Sequence, residues 1–380
     1  MRQSWMRNIL LFSTVMVVLA SCEDPEFSLD EPLTASSRPA VYISGQNNFL
    51  YALDPKTGER IWEKFFGINR ILQEPIVLKD YTIVNTLAGI VRLNGLNGEV
   101  VDTIRDFEFD GAKHPVAGMI CGKDNMLYSG TADNYLVGYN IDGKSVMWRA
   151  IYGSAPTAMT TTGTVYGNLL IANLSGTLYA VNKGAGTEVT WTATIPASTD
   201  PVVAPPYVYV LGKDGVLHAL DIETGLELWT YTTGAPTESS PIVYGGNIIY
   251  GADNNQLYCI DPIAQAPRWV FPTNERVQGS AYADEQVVYF GSYDNYMYAV
   301  NIIDGQLKWR YRANALIKSS PIVTNGVAYF ASYDQHMYAF DTSGLLKWKF
   351  RVNAPVDMSP VANNLDNKVV YPAVSGLSSQ

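Results

Sequence analysis

Short apolar runs of four to six residues, separated by turn residues, recur along most of the chain. One repeat shows the pattern clearly: residues 217–220 (Leu-His-Ala-Leu) precede a turn, residues 221–225, and an aromatic run, residues 228–231, follows it. These runs predict antiparallel strands, because apolar and aromatic residues favour strands and Gly225 is free to adopt the positive φ that tight turns need. Since no long amphipathic helical pattern occurs beyond the N-terminus, we predict an all-β protein.

Tryptophan sets the length of the repeat. From Trp148 onward, successive recurrent tryptophans are 43, 38, 40, 40 and 39 residues apart. The interval from Trp62 to Trp148 is 86 residues, two steps of 43, so one repeat between them lacks its tryptophan. Asp102 stands at the missing position, four residues after Gly98, and eight repeats of about 40 residues result. The recurrent tryptophans are Trp62, Trp148, Trp191, Trp229, Trp269, Trp309 and Trp348.

Each repeat contains four candidate strands. The first opens near a proline, as at Pro241 and Pro321, where the missing N–H costs no ladder hydrogen bond. The second is apolar, the third carries a Leu-Tyr-Ala pattern, and the fourth carries the tryptophan. Four short antiparallel strands at this period are typical of a β-propeller. We therefore predict an eight-bladed β-propeller of four-stranded antiparallel blades, with seven blades as the alternative.

The sequence pattern does not determine which terminal strands close the ring. Both chain ends supply strands that a single blade must combine, and they supply one strand more than a four-stranded blade requires. Either residues 369–371 form an extra edge strand, or one end of the chain pairs differently.

The N-terminal 37 residues differ from the repeats. Residues 1–21 combine two arginines with an apolar stretch too short to cross a bilayer comfortably, which predicts a signal peptide. They end in Leu-Ala-Ser before Cys22, which resembles a bacterial lipobox, so we predict that Cys22 is lipidated. An ordinary signal peptide with an incidental cysteine is the alternative. Residues 22–37 are acidic and contain Pro and Ser, which predicts a flexible tether. Residues 38–380 then form a single propeller domain.

The turn before each tryptophan carries a motif with a family resemblance. The motif is Ala-(Leu/Val/Phe)-(Asp/Asn)-x-x-(Thr/Asp/Ser)-Gly-x-x-x-Trp, clear in residues 52–62, 219–229 and 299–309 and one residue shorter in 339–348. It resembles the tryptophan-docking motif of quinoprotein-type (PQQ-like) propellers. That resemblance implies that each tryptophan stacks on a peptide bond of the neighbouring blade. A propeller behind a lipoprotein signal also resembles the BamB family of outer-membrane assembly lipoproteins.

Charge and cysteine content narrow the choice of partners. Without the two signal-peptide arginines the chain has 24 basic and 36 acidic residues, a net charge of −12. Such an acidic body argues against a nucleic-acid partner. We expect a monomer that contacts the membrane through its lipid anchor only, with the periplasmic or surface side left open.

Cys259 replaces an alanine of the sister repeats, which predicts a small buried thiol, and a disulfide with Cys121 is the alternative.

Motifs for catalysis or cofactor binding are weak. Residues 138–145 fit G-x-x-x-x-G-K-[ST], with Gly143 aligned to Gly225 of the repeat, but a phosphate loop needs a following helix and a tryptophan strand follows here. An enzyme of the resembled quinoprotein type would need adjacent cysteines, a calcium site and an aspartate base, and the chain has no Cys-Cys pair. The histidines are scattered, whereas metal sites need a cluster, and His114 has no obvious partner. We predict no catalytic residue, metal site or cofactor, with a degenerate quinoprotein enzyme as an alternative.

Two groups of residues in the last repeats are candidates for an interaction surface. Aromatic residues near the turns between the second and third strands predict an interface or a sugar platform on one rim, with packing between blades as the alternative. This candidate rim consists of Tyr293, Tyr296, Tyr333 and His336. Basic residues alternate with aromatics on the tryptophan strands and predict either a docking stripe or protection of an edge strand. This stripe consists of Lys308, Arg310, Arg312, Lys347, Lys349 and Arg351.

The expected function follows from the fold and the resemblance. We expect a lipid-anchored, non-catalytic scaffold for protein–protein interactions at the bacterial cell envelope. The BamB resemblance implies a partner in a β-barrel assembly complex of the outer membrane. A surface lipoprotein that binds glycans or small ligands is the alternative.

Overall fold

The computed structural model describes residues 38–371 except 79, 124, 152–160, 167–168, 175–176, 183–188, 196–198, 213 and 364–368. The predicted signal peptide, Cys22 and the tether lie outside the described residues. Within them the structure is all-β and forms eight sheets, the blades of an eight-bladed β-propeller. The fold prediction is confirmed, and the seven-bladed alternative is wrong. The described part contains no helix long and apolar enough to cross a bilayer.

The strands follow the chain from blade to blade. In blades 1 to 4 they are β1 (Ala40–Ser44), β2 (Phe49–Leu53) and β3 (Arg60–Phe65); β4 (Ile76–Leu78), β5 (Tyr81–Thr86), β6 (Gly89–Asn94) and β7 (Val100–Ile104); β8 (Asp106–Phe109), β9 (Ala112–Lys123), β10 (Met126–Thr131), β11 (Tyr135–Asn140) and β12 (Ser145–Ile151); β13 (Thr161–Tyr166), β14 (Leu169–Leu174), β15 (Thr177–Asn182) and β16 (Val189–Thr194). In blades 5 to 8 and the closing segment they are β17 (Val202–Ala204), β18 (Tyr207–Leu211), β19 (Val216–Asp221) and β20 (Glu227–Thr232); β21 (Ile242–Tyr244), β22 (Asn247–Ala252), β23 (Gln256–Asp261) and β24 (Ala266–Pro272); β25 (Tyr282–Asp284), β26 (Val287–Gly291), β27 (Tyr296–Asn301) and β28 (Leu307–Arg312); β29 (Ile322–Thr324), β30 (Val327–Ser332), β31 (His336–Asp341) and β32 (Leu346–Arg351); β33 (Val361–Asn363) and β34 (Val369–Val370).

Each regular blade is an antiparallel meander. The short strand that follows the proline lies at the inner edge and the tryptophan strand lies at the outer edge, as in the order β21-β22-β23-β24. The middle strands are buried on both faces, since every residue of β22 is buried. The outer strands alternate exposed and partly buried residues, as β28 does. The core therefore lies between the blades, where each sheet packs against the next.

The two chain ends share blade 1. Its order is β3-β2-β1-β33-β34, so the C-terminal segment supplies the inner strand β33 and the N-terminal segment supplies the other three. The pair Val369–Val370 adds a fifth strand at the inner edge, which is the first of the two closures left open by the sequence. Tyr371 then links this blade to the next, because its hydroxyl accepts from the Val77 amide (2.8 Å) and donates to the Val77 carbonyl (3.0 Å).

Blade 3 carries an insertion that the sequence pattern did not predict. The segment around His114 is not an irregular connection, because β8 and β9 form a hairpin that adds a fifth strand to the sheet. His114 also has a partner: its Nδ1 lies 2.6 Å from an Asp133 carboxylate oxygen, and its ring stacks on Phe109 with centroids 3.6 Å apart. This pair could not be recognised in the sequence, because Asp133 lies 19 residues away, in the turn between β10 and β11.

A belt of serine hydroxyls joins the inner strands of successive blades. Each serine stands just before the inner strand, and its Oγ accepts a hydrogen bond from the backbone N–H at the same position of the preceding blade. The bonds run from Asp200 to Ser240 (3.1 Å), Ser240 to Ser280 (2.8 Å), Ser280 to Ser320 (2.9 Å), Ser320 to Ser359 (3.0 Å), and Ser359 to a Glu74 carboxylate oxygen (3.0 Å). Since buried N–H groups are costly without a partner, the belt both satisfies these donors and fixes the spacing of the blades.

Tryptophans join the outer parts of the blades. In the regular case the indole Nε1–H donates to a carbonyl in the turn between the third and fourth strands of the next blade, and the ring lies against the glycine of that turn. A Cβ atom at Gly98, for example, would lie 2.6 Å from the ring of Trp62. The donor and acceptor pairs are Trp62–Gly95 (3.0 Å), Trp191–Ile222 (2.9 Å), Trp269–Ile302 (2.8 Å), Trp309–Thr342 (3.0 Å) and Trp348–Pro55 (3.1 Å).

Two tryptophans depart from this arrangement. Trp229 is only half-buried, and the corresponding turn of blade 6 has Gln265, at φ 52°, in place of glycine. The Trp148 ring lies against Gly138 of its own blade, where most other repeats have alanine. Loss of the strand alanine in blade 3 therefore accompanies a different placement of the Trp148 indole, and the Trp229 indole has no turn glycine to lie against.

The contact between blades 2 and 3 has no tryptophan. Asp102 pairs with Arg92 in the register that Trp62 and Ala52 share in blade 1. The buried Arg92 guanidinium binds the Asp102 carboxylate through Nε and Nη2 and donates from Nη1 to the Ile141 carbonyl at 2.7 Å. The Lys144 ammonium reaches the same carboxylate at 3.0 Å. We call this group the blade 2–3 clasp.

Candidate functional site

One face of the propeller gathers the connections that carry the predicted aromatic residues. In an antiparallel meander, the turn between the second and third strands lies at the same end as the connection to the next blade. In blade 7 these two segments are in contact. The Tyr293 amide, in the turn between β26 and β27, donates to the carbonyl of Arg276, in the connection between β24 and β25, at 3.0 Å. We call this end of the ring the mouth face. The mouth site is a group of polar residues on this face: Glu238, Arg276, Gln278, Tyr293, Lys318 and Tyr333.

Tyr293 is held firmly in the mouth site. Its hydroxyl lies 2.5 Å from Oε1 of Gln278, and the Arg276 guanidinium lies over its ring, 4.4 Å from the centroid. Burial raises the pKa of Tyr293, against the opposing charges of Lys318 and Arg276, so the hydroxyl stays protonated and acts as a donor at neutral pH. Gln278 is itself oriented by Asp253, which accepts from its amide at 3.1 Å.

Lys318 bridges two blades across the mouth. Its ammonium lies 3.1 Å from a Glu238 carboxylate oxygen, although Glu238 precedes blade 6 and Lys318 precedes blade 8. Burial works to lower the pKa of Lys318, but the Glu238 carboxylate outweighs it and the pKa is raised. Burial raises the pKa of Tyr333, and the negative charge of the Asp357 carboxylate raises it further. The mouth site thus combines two tyrosine donors with fixed charges of both signs.

A pocket of about 400 Å³ adjoins the mouth site on the same face. It is lined by the turn after β1, the connection before β4 and the connection before β33: Gly45, Gln46, Asn48, Arg70, Ile71, Asp357 and Met358. Asp357 belongs to both regions, because it lines the pocket and its charge acts on Tyr333. Its Oδ2 accepts from Gln46 at 3.1 Å.

The structure does not bring the four rim residues together. Tyr293 and Tyr333 lie in the mouth site, whereas Tyr296 and His336 begin the third strands and lie beside the outer strands. Tyr296 pairs in register with Arg312 and lies under the Arg310 guanidinium at 4.7 Å, and His336 pairs in register with Arg351. Strand alternation explains the separation, since turn residues and strand residues of one motif point in different directions.

The six stripe residues lie on the outermost strands of blades 7 and 8. Lys308, Arg310 and Arg312 are exposed on β28, and Lys347, Lys349 and Arg351 are exposed on β32. The aromatic residues between them are at least partly buried, and Trp309 and Tyr311 contact Phe340 of the next blade. The stripe is therefore distinct from the mouth site.

The segment that fits the phosphate-loop pattern has another role. It forms the third-to-fourth-strand turn of blade 3, and strand β12 follows it. The alignment of Gly143 with Gly225 is wrong by one residue: Lys144, at φ 49°, takes the position of the repeat's glycine, and its ammonium binds Asp102.

The Cys259 thiol and the His218 imidazole are both buried in the fold. Cys259 is a buried free thiol, and burial raises its pKa to about 12. His218 is buried with Nδ1 2.6 Å from a Glu227 carboxylate oxygen. Among the described residues, no group of three or more His, Cys, Asp or Glu is arranged to hold a metal ion.

The sequence indicated the tyrosines of the mouth site but missed their partners. Glu238, Gln278 and Lys318 occupy equivalent positions in successive connections. Each lies two residues before a belt serine: Ser240, Ser280 or Ser320. Their shared position relative to the belt serines is visible in the sequence. Because the charge at this position differs from repeat to repeat, the three residues are recognised as one group only when the blades are compared in the structure.

Eight blades, most of them joined by regular tryptophan contacts, define a β-propeller built from PQQ-like repeats. A family model described as "Outer membrane protein assembly factor BamB" matches residues 108–271 and 266–376. These matches cover more than half of the chain, so the chain belongs to this family.

Individual relatives are distant. The outer membrane protein assembly factor BamB of Shewanella oneidensis is 23% identical over 204 residues, which are 51% of this chain and 51% of that protein. The match therefore spans about half the length of that curated relative.

Solved structures share the fold. The computationally designed Ika8 protein has a TM-score of 0.66 at 16% identity, over 83% of this chain and 100% of that one. BamB from Moraxella catarrhalis has a TM-score of 0.59 at 16% identity, over 80% of this chain and 98% of that one. At these identities the likeness concerns the fold alone.

Proposed function

We propose that the protein is a lipid-anchored, non-catalytic scaffold at the bacterial cell envelope, where its mouth face binds a protein partner in outer-membrane β-barrel assembly. The lipid is attached at Cys22, and residues 23–37 act as the tether. Fully extended, fifteen residues reach about 50 Å, so the mouth face has freedom to meet a partner near the membrane. The family membership supports the assembly role.

The mouth site is the observation that carries the proposal. Binding surfaces are enriched in Tyr and Arg, and Tyr293 and Arg276 already stack on each other, so little side-chain entropy is lost when a partner binds. Lys318 and Glu238 hold each other across the ring, which fixes a charge pattern that a partner can match. The rigid belt beneath them keeps these groups in register.

Affinity purification tests the proposal. Tagged wild-type protein is recovered from detergent-solubilised envelopes and compared with a mouth variant, Tyr333→Ala with Lys318→Ser, and with a matched control, Tyr207→Ala with Lys113→Ser. We expect identified β-barrel assembly proteins to co-purify with the wild type and the control but to fall at least tenfold with the mouth variant. Equal recovery with all three proteins, or recovery of no assembly component, would contradict the proposal.

The adjoining pocket favours a second candidate, a lipoprotein that binds a glycan or small ligand. Its volume of about 400 Å³ lies within the range of ligand sites, and Arg70 and Asp357 supply polar groups. Binding on a glycan array that Arg70→Ala and Asp357→Ala abolish, together with no assembly component in the purification, would favour this function over the scaffold.

A further inference from the structure

The outer wall of blades 7 and 8 differs in charge from the rest of the molecule. The six stripe cations lie there on two neighbouring edge strands, in a chain whose net charge is −10. Because alternate residues of a strand point to opposite sides, each strand presents its three cations in one row. We call this surface the basic wall.

The cations of the basic wall are not neutralised by ion pairs. Among the described residues, no ion pair within 4 Å includes any of the six. Arg310 instead lies over the ring of Tyr296. Three outer-strand cations of other blades are paired locally: Arg60 bonds to Glu63 at 2.5 Å, Arg149 to Asp110 at 2.5 Å and Arg268 to Asp261 at 3.2 Å.

Exposed aliphatic residues border the basic wall at the opposite end from the mouth face. They lie in the turns before the outer strands or at the first residue of those strands: Ile303 (60% exposed), Leu307 (44%), Leu345 (67%) and Leu346 (39%). Two carboxylates, Asp304 and Asp341, lie in the same turns. The pKa of Asp341 is lowered by the Ser343 hydroxyl and by the charge of Lys347, so these two carboxylates offset part of the charge of the six cations. The wall therefore keeps a net positive charge.

We propose that the basic wall lies against an anionic phospholipid surface. Lysine and arginine rows attract anionic headgroups, and exposed aliphatic side chains beside them enter the boundary between headgroups and acyl chains. The combination of charge and apolar side chains favours this occupant, because six exposed cations bordered by exposed aliphatic residues match both the headgroups and their boundary with the acyl chains. Repulsion between the lipid and the acidic remainder of the chain orients the propeller with blades 7 and 8 toward the membrane.

This contact adds to the lipid anchor and departs from the expectation that the anchor is the only link to the membrane. It does not depend on the proposed function, because the mouth face lies at one end of the ring and the wall on its circumference. A bound propeller would hold its mouth face beside the membrane rather than at the end of a loose tether.

Vesicle sedimentation tests the proposal without the anchor. The chain from residue 22 onward with Cys22→Ser is mixed with phosphatidylcholine vesicles containing 30% phosphatidylglycerol, or with phosphatidylcholine alone. We expect binding only to the anionic vesicles, weakened at least tenfold by 0.5 M NaCl. The wall variant Lys308→Ser with Lys349→Ser should bind about 25-fold more weakly, since each cation near an anionic surface contributes about fivefold.

The matched control carries the same change in net charge elsewhere. Arg105 and Lys113 are exposed and lie in blades 2 and 3, away from the wall, so Arg105→Ser with Lys113→Ser should bind like the parent protein. Ile303→Ser with Leu345→Ser should weaken binding about tenfold without changing its salt dependence. All variants are first shown to melt at the parent's temperature.

Three results would overturn the proposal. They are equal binding by the wall variant and the control, equal binding to neutral and anionic vesicles, and no vesicle binding combined with wall-dependent retention on polyglutamate. The last result would identify an acidic protein as the partner. None of them bears on the purification experiment with the mouth variant, so the two proposals fail separately.

Discussion

Blades 1 and 2 are joined by a different kind of side chain from blades 2 and 3. At both junctions a side-chain N–H donates to a turn carbonyl of the next blade. In the first, the Trp62 indole donates to Gly95 and its ring covers Gly98. In the second, Arg92 donates to Ile141, at the position equivalent to Gly95, and Asp102 and Lys144 fill the space of the tryptophan and the glycine. These two junctions thus share a donor to one turn carbonyl and a filled gap, and an indole is not the only group that supplies them.

The two solutions should respond differently to perturbation. The tryptophan contact depends on buried apolar area and on shape, because a Cβ at the turn glycine would clash with the ring. The blade 2–3 clasp depends on charge, because the Arg92 side chain is 2% exposed and its countercharge, Asp102, is 30% exposed. The first should be insensitive to pH, and the second should weaken in acid.

The largest expected effect is the loss of a regular tryptophan. Trp62→Ala should lower the free energy of unfolding by about 3–5 kcal/mol, since it removes a buried ring and an inter-blade hydrogen bond. The half-buried Trp229, which faces no turn glycine, is the control, and Trp229→Ala should cost about 1–2 kcal/mol. Chemical denaturation measures both, and equal losses would contradict the distinction between them.

Breaking the clasp should have the next largest effect. Asp102→Ala leaves the buried Arg92 guanidinium without its carboxylate. We expect a loss of about 2–3 kcal/mol in the free energy of unfolding, somewhat less than for a fully buried pair, because Asp102 is partly exposed. A variant as stable as the wild type would show that the clasp contributes nothing to the junction.

Acid should abolish the contribution of the clasp. The Arg92 guanidinium lowers the pKa of Asp102 in the folded state, and the Lys144 ammonium adds to this effect. A carboxylate with a lowered pKa stabilises the fold above its unfolded value of about 3.9, and the contribution is lost as the pH falls through the folded value. The difference in stability between the wild type and Asp102→Asn should therefore shrink below about pH 4. A difference that stays constant from pH 7 to pH 2.5 would contradict this assignment.

The smallest effect is expected at the turn of blade 3. Lys144→Gly removes an exposed contact with Asp102 but relieves a positive φ, which costs a residue with a Cβ about 1 kcal/mol. The two changes oppose each other, so we expect a shift within about 0.5 kcal/mol. Gly98→Ala, at the equivalent turn of blade 2, should instead destabilise, since its Cβ would meet Trp62. A similar loss from both variants would show that the two turns are not alternatives.

The sequence predicts most of this architecture because the repeat is periodic. The tryptophan spacing and the proline-led strands predict eight blades and their strand order, and Asp102 marks the irregular junction. The pattern does not predict what replaces the tryptophan. Arg92 is one of many polar residues along the chain, and only the strand register brings it opposite Asp102.

The mouth site was predictable only in part for a similar reason. Tyr293 and Tyr333 recur in two sister repeats, so repetition marks them as a pair. Glu238 and Lys318 form their ion pair across the ring, 80 residues apart, and neither residue repeats the other. The hairpin of blade 3 is absent from other blades, so a repeat pattern carries no information about it.

The most direct test of the central claim is to convert the clasp into a tryptophan junction. The triple variant Arg92→Ala, Asp102→Trp and Lys144→Gly gives blade 2 the alanine, tryptophan and neighbouring glycine of blade 1. We expect its free energy of unfolding at pH 7 to lie within about 1 kcal/mol of the wild type and to lose the acid sensitivity of the clasp. A triple variant no more stable than Asp102→Ala would contradict the claim that the two junctions are interchangeable.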